Sequence, residues 1–167
     1  GQLDANGQAQ WVFWNYFLMS DDRAFLERAY PMMKSASEWT IRALKETEND
    51  AEFPGLLPTA PADGERPGRG KFHIVGYDFW NLRGILCTAE AAEVLGQKSD
   101  FERFIKVAHQ YKQSIEKAMG KNGLSYFPPT WELAGTHWGN TETLWPKEIF
   151  TKSDPRISGL SNFLRKD

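Results

Sequence analysis

A helical-hairpin pattern is written twice in this chain of 167 residues, with a loop rich in acidic and aromatic residues between the copies. The first copy is WVFWNYFLMSDDRAFLERAYPMMKSASEW, and the second is FWNLRGILCTAEAAEVLGQKSDFERFIKVAHQYKQSIEKAM. A shift of about 79 positions lays Ser20-Asp21 on Ser99-Asp100, Phe25 on Phe104, Leu26 on Ile105 and Ala29 on Ala108. Stacked hairpins bury one face against each other and leave their loops at the ends to carry chemistry. The pattern predicts an all-α fold, in one domain over residues 1–167, and directs the search for function to GLLPTAPADGERPGRGKFHIVGYDFW.

The helices follow from periodicity and punctuation. GQLDANGQ reads as an entry loop, with Asp4, Asn6 and Gly7 as turn formers. A helix is expected from about Gln8 to Met19, with Trp11, Trp14 and Leu18 on one face. Ser20 and two Asp residues break it. Phe25, Leu26 and Ala29 form a short turn, and Pro31 fits the first position of a longer helix, where its missing N–H matters least. That helix runs to Lys45, with Met32, Ala36, Trp39 and Ala43 on its stripe. Residues 49–76 hold five Gly and four Pro, too many for regular structure, and a loop of that length in a packed domain points to function. A third helix is expected from Tyr77 to Leu95, closed by Gly96. Ser99 and Glu102 read as a capping box for a fourth, which carries Phe104, Val107, Ala108, Tyr111 and Ile115. Gly120 and Gly123 stop it, a second loop runs to Asn140, and short helices follow at 141–145 and 155–164.

Composition narrows the function. A net charge of −2 offers no basic footprint for nucleic acid, and no apolar run approaches a membrane span. The single Cys87 allows no internal disulfide and reads as a small buried hydrophobe. No CxxC or HExxH spacing marks a metal site, no GxSxG marks a nucleophile, and no phosphate loop marks a nucleotide, so neither metal nor cofactor is expected. Seven Trp and 14% aromatic residues are the anomaly. Rings in Gly- and Pro-rich loops suit the apolar faces of sugars, which makes carbohydrate the expected partner.

WNYFLMSDDRAFLERAYPMMKSASEW, GLLPTAPADGE, YDFWNLRGILCTAEAAEVLG and HWGNTETLWP with its trailing SDPRI together resemble the six-hairpin glycosidase superfamily. The resemblance implies helical hairpins of an (α/α)6 toroid and hydrolysis of glycosidic bonds, with a periplasmic or secreted setting. A twelve-helix toroid needs well over about 200 residues, so the chain is expected to be a segment of a larger catalytic domain. Hairpins without neighbours expose apolar faces, which favours self-association or a missing barrel segment.

Glycoside hydrolysis uses two carboxyl groups, one holding a proton for the leaving oxygen and one activating water or attacking the sugar. The catalytic candidates are Glu65 in the glycine-flanked PADGERPGRG, Asp78 among Tyr77, Phe79 and Trp80, and Glu132 beside Trp131. Rings around Asp78 raise its pKa, while Arg83 lowers it if the two pair. Trp131, Trp138, Tyr77 and Trp80 are the candidate sugar platforms, with His73 and His137 as hydroxyl partners. Asp63 also reads as an Asp-Gly turn residue, Glu142 as a first-turn helix acid, and His109 is assigned no role. A working site requires both long loops at the same end of the hairpins. A non-catalytic module that binds carbohydrate or another segment of its parent protein is the alternative.

Overall fold

The computed structural model describes residues 2–144 and 148–165. Five α-helices carry the fold: α1 Ala5–Ser20, α2 Arg23–Glu46, α3 Val75–Val94, α4 Lys98–Asn122 and α5 Pro155–Leu164. There is no strand among the described residues, only isolated bridges at Ala60–Phe72 and Ile74–Thr130. Helices α1 and α2 form one antiparallel hairpin, α3 and α4 the second, and α3 is the common hub that touches α1, α2 and α4. The hub is buried nearly all round, whereas α2 and α4 each have one apolar face and one charged face.

The first hairpin departs from the periodicity in four ways. Helix α1 starts at Ala5, so Gly7 lies within it and not in an entry loop. A Cβ on Gly7 would sit 2.0 Å from the carbonyl oxygen of Trp80, so only glycine lets α1 lie this close on α3. That contact rotates α1 to bury Gly7, Gln10, Trp14 and Phe17, and leaves Leu18 58% exposed. Pro31 does not begin a helix. It lies on the exposed side of a continuous α2 capped by the Asp22 carboxylate, which accepts from the Phe25 N–H at 2.8 Å. The buried stripe Leu26, Tyr30, Met33, Ser37, Thr40 and Ala43 runs past the proline unbroken, so burial outweighs one missing backbone bond. Met32, expected on that stripe, faces solvent.

The second hairpin keeps closer to expectation. Gly96 adopts φ +73°, with Gly96 N bonded to Glu93 O and Gln97 N to Ala92 O, a complete Schellman turn. The turn runs straight into α4 at Lys98, so Ser99 is already helical and the expected capping box does not form. Asp100 instead accepts from Tyr30 Oη at 2.8 Å and Lys34 Nζ at 2.7 Å on α2. Gly123 ends α4 in the left-handed region, while Gly120 stays within it. Near residue 141 only a 3₁₀ turn forms, Gly139–Thr141, and Trp145 lies outside the described residues. Pro155 opens α5 under an Asp154 cap.

Burial also corrects the repeat register by one residue. Leu26, Tyr30, Met33, Ser37 and Thr40 match Phe104, Ala108, Tyr111, Ile115 and Ala118, all of them buried, at a shift of 78 positions. The first hairpin fills its seam with polar groups: Gln10 Nε2 donates to Met33 O, Ser37 Oγ and Thr88 Oγ1 at 2.7–3.0 Å, and Thr40 Oγ1 bonds Asn81 Oδ1 at 2.8 Å.

Candidate functional site

Both long loops gather at the N-terminal end of α3. Val75 N donates to Pro129 O at 3.2 Å and Trp131 N to His73 O at 3.0 Å, so the second loop runs beside the exit of the first. Thr136 clasps the first loop, its hydroxyl donating to Gly64 O at 3.1 Å and Glu65 O at 3.0 Å. Gly76 in the first turn of α3 packs on Gly139, where a Cβ would come 2.8 Å from the Gly139 Cα. The indole of Trp138 covers Gly64.

These contacts enclose a cleft of about 220 Å³ built from four parts of the chain. The start of α1 supplies Asp4 and Gln8, the first loop Asp63 and Glu65, α3 Tyr77 and Trp80, and the second loop Trp138, Gly139 and Glu142. Tyr77 and Trp80 share a face of α3 because they are three residues apart. Four carboxyl groups and three aromatic rings therefore meet at one place.

Burial sets the electrostatics. It pushes the Glu65 carboxyl up, with the charge of Asp63 adding to it against backbone N–H bonds from Asp63 and Gly139. Asp4 is raised by burial and then by Asp63. Burial also raises Glu142, opposed by the Arg83 charge and a bond from the Trp80 indole, and reinforced by Asp4 and Glu65. The Tyr77 phenol is raised by burial and by the charges of Asp4, Glu65 and Asp63. Arg83 is fully buried, lies 4.5 Å over the Trp80 ring and donates to the Glu142 carbonyl, and burial lowers it to about 10.

The cleft brings together Glu65, Tyr77, Trp80 and Trp138 and excludes the other expected residues. Asp78 points the opposite way and is buried in the core. Its carboxylate accepts from Tyr111 Oη at 2.6 Å, Trp131 Nε1 at 2.7 Å and Leu57 N at 3.0 Å. Burial nevertheless pushes it up to about 6, against the bonds from Tyr111, Leu57 and Trp131. Arg83 does not pair with it, because a separation of five positions turns the two to different sides of α3. Trp131, only 1% exposed, is a core residue and offers no surface to a sugar. Glu132 leaves the cleft to meet His73, whose Nδ1 lies 2.6 Å from Oε1 and whose backbone N–H bonds both oxygens. Burial disfavours charge on both groups, yet their contact prevails, holding Glu132 low and His73 high. His137 packs against Tyr126 and Phe163 and bonds Asn140 at 2.6 Å, bracing the 3₁₀ turn from behind. Sequence reasoning missed Asp4 and Gln8, which resemble ordinary helix-start residues, and set Glu142 aside as a first-turn acid. The WGN preceding Glu142 was the available signal: Gly139 permits the approach to Gly76, and Asn140 holds the turn through Phe127 O at 2.7 Å.

No family model matches the chain, and neither a curated protein nor a solved structure matches it.

Proposed function

We propose that this cleft is the carbohydrate site of a glycoside hydrolase catalytic domain built from helical hairpins of the (α/α)6 toroid type, of which this chain is part. The observation that carries the reading is the meeting of Glu65 and Glu142, both raised by burial, with the rings of Tyr77, Trp80 and Trp138. Glu65 holds the proton for the leaving oxygen. Glu142, which has the Arg83 charge behind it, keeps the negative charge and activates water or attacks the sugar. Trp138, 61% exposed at the rim, offers a flat apolar face to a sugar ring. Among the described residues the lining has no Lys or Arg, so neutral or amino-bearing sugars fit and uronic acids are repelled.

The test is release of reducing ends from neutral oligosaccharides, alongside binding followed by tryptophan fluorescence. Glu65→Gln should lower turnover by about 100-fold or more while leaving binding within a few-fold, and Trp138→Ala should weaken binding. Binding without turnover, insensitive to Glu65→Gln, would replace hydrolysis with a carbohydrate-binding module. Neither binding nor turnover would overturn the proposal.

A further inference from the structure

Glu65 belongs to PADGERPGRG, a stretch that local rules leave loose. Gly68 and Gly70 adopt φ +119° and +125°, and a Cβ on Gly68 would meet nothing within 4 Å. Glu65 is nevertheless only 2% exposed. The second loop fixes it. Thr136, 71 positions along, gives both its backbone N–H and its hydroxyl to one acceptor, Glu65 O. Gly135, at φ +99°, packs so closely that a Cβ would lie 2.6 Å from the same oxygen. On the carboxyl side, a Cβ on Gly139 would come 3.3 Å from Glu65 Oε1. The donor segment is itself anchored. Thr130 is fully buried, and its hydroxyl accepts from Ala134 N at 3.0 Å and donates to Ala134 O at 2.9 Å. That closes the turn delivering Gly135 and Thr136, and Thr130 pairs in turn with Ile74, just before α3.

Backbone strain marks both sides of this contact. Among the described residues, three non-glycine positions have positive φ: Asp21 at the end of α1, Arg66 at +44° and Leu133 at +62°. Arg66 follows Glu65 directly, and Leu133 lies in the turn that leads to Thr136. Residues with a Cβ persist in that region only where their surroundings over-determine it, and such residues cluster at working sites. We infer that Thr136 is a positioning residue, whose two bonds to Glu65 O hold the Glu65 carboxyl against Gly139 inside the cleft. The inference rests on the reading of Glu65 as the proton donor. Thr136 is exposed, so its bonds and not its packing carry the effect. Asp63 of the same loop, Asp4 of α1, Tyr77 of α3 and Glu142 of the second loop line the cleft with Glu65. A loosened Glu65 swings away from them toward water. Its carboxyl then loses the burial that is the largest influence raising it, and it ionises at lower pH.

Thr136→Val keeps the side-chain shape and the backbone N–H but removes the hydroxyl, and Thr136→Ser restores it. Carboxyl-carbon NMR follows the Glu65 titration, assigned with Glu65→Gln, and reducing-end release from neutral oligosaccharides follows turnover across pH. Thr136→Val should move the Glu65 titration to lower pH and bring the alkaline limb of kcat/KM down with it. It should also lower kcat by about 10-fold with KM within a few-fold, and Thr136→Ser should return every reading toward wild type. An unmoved titration in Thr136→Val overturns the inference, whatever the turnover. A moved titration with full turnover overturns it as well. A wild type without turnover, whose Glu65 titration still follows the Thr136 hydroxyl, sinks the hydrolase reading and leaves the positioning in place.

Discussion

Replacing Asp78 by Asn isolates one buried charge and gives a signed, pH-dependent result. The carboxylate is fully enclosed and accepts from Tyr111, Trp131 and Leu57, yet burial pushes it from 3.8 to about 6. Folded protein therefore binds this proton more tightly than unfolded protein. A raised carboxyl contributes stability that is fully present below about pH 4 and is lost as pH rises through about 6. The interval corresponds to about 3 kcal/mol. The substituted amide cannot titrate, and its N–H₂ group faces either the Trp131 N–H or the donors from Leu57 and Tyr111, a pH-independent cost of roughly 1–3 kcal/mol. Urea unfolding of both proteins, followed by circular dichroism from about pH 4 to 8, gives the difference in stability. The subtraction cancels the other carboxyls, some raised and some lowered. The wild-type advantage should shrink by about 3 kcal/mol across that range and then level off. A flat difference would mean that the enclosed charge carries no penalty. A difference growing with pH would mean that the three donors outweigh burial, and either outcome refutes the reasoning.

Gly7→Ala should cost about 3 kcal/mol or more, because its Cβ meets the Trp80 carbonyl at 2.0 Å and backbone must move, whereas Gly120→Ala, with nothing within 4 Å, should stabilise α4 by about 0.5–1 kcal/mol. Denaturant midpoints read both. Glu132→Gln should lower stability by about 1 kcal/mol at most, since Glu132 is only partly shielded. That loss should be greatest between about pH 4.5 and 6.5, where a lowered Glu132 is ionised and a raised His73 is protonated, and should fade as pH rises through the His73 titration or falls through that of Glu132. Chemical unfolding at several pH values detects this, and a loss that is constant with pH would contradict the pairing.

Periodicity made α3, α4 and α5 legible because local rules and tertiary packing agree there: Gly96 closes a helix, Asp154-Pro155 opens one, and Phe104 to Ile115 bury one stripe. The first hairpin was less legible because distant contacts decide its rotation. Gly7 reads locally as a turn residue, and its use as a contact point requires the Trp80 backbone. Pro31 reads as a helix start, and only the stripe from Leu26 to Ala43 shows that the helix passes through it. At the cleft, loop chemistry identified Glu65 and Trp138. Neighbouring residues in the same segments point oppositely: Tyr77 lines the cleft while Asp78 is in the core, and Trp138 rims it while Trp131 is buried. Direction within a loop depends on partners such as Asp78 for Trp131, which lies 53 positions away.

The polar seam of the first hairpin has a consequence for assembly. Two hairpins with the same burial register are interchangeable as far as apolar matching goes, so one could lodge in the other's place during folding or between chains. Ser37 and Thr40 correspond to Ile115 and Ala118, so a second hairpin docked in the first one's position would leave Thr88 without Gln10 and Asn81 without Thr40. Each stranded group would cost roughly 1–3 kcal/mol. The seam thus works as an address, giving each of two similar hairpins only one place it can occupy.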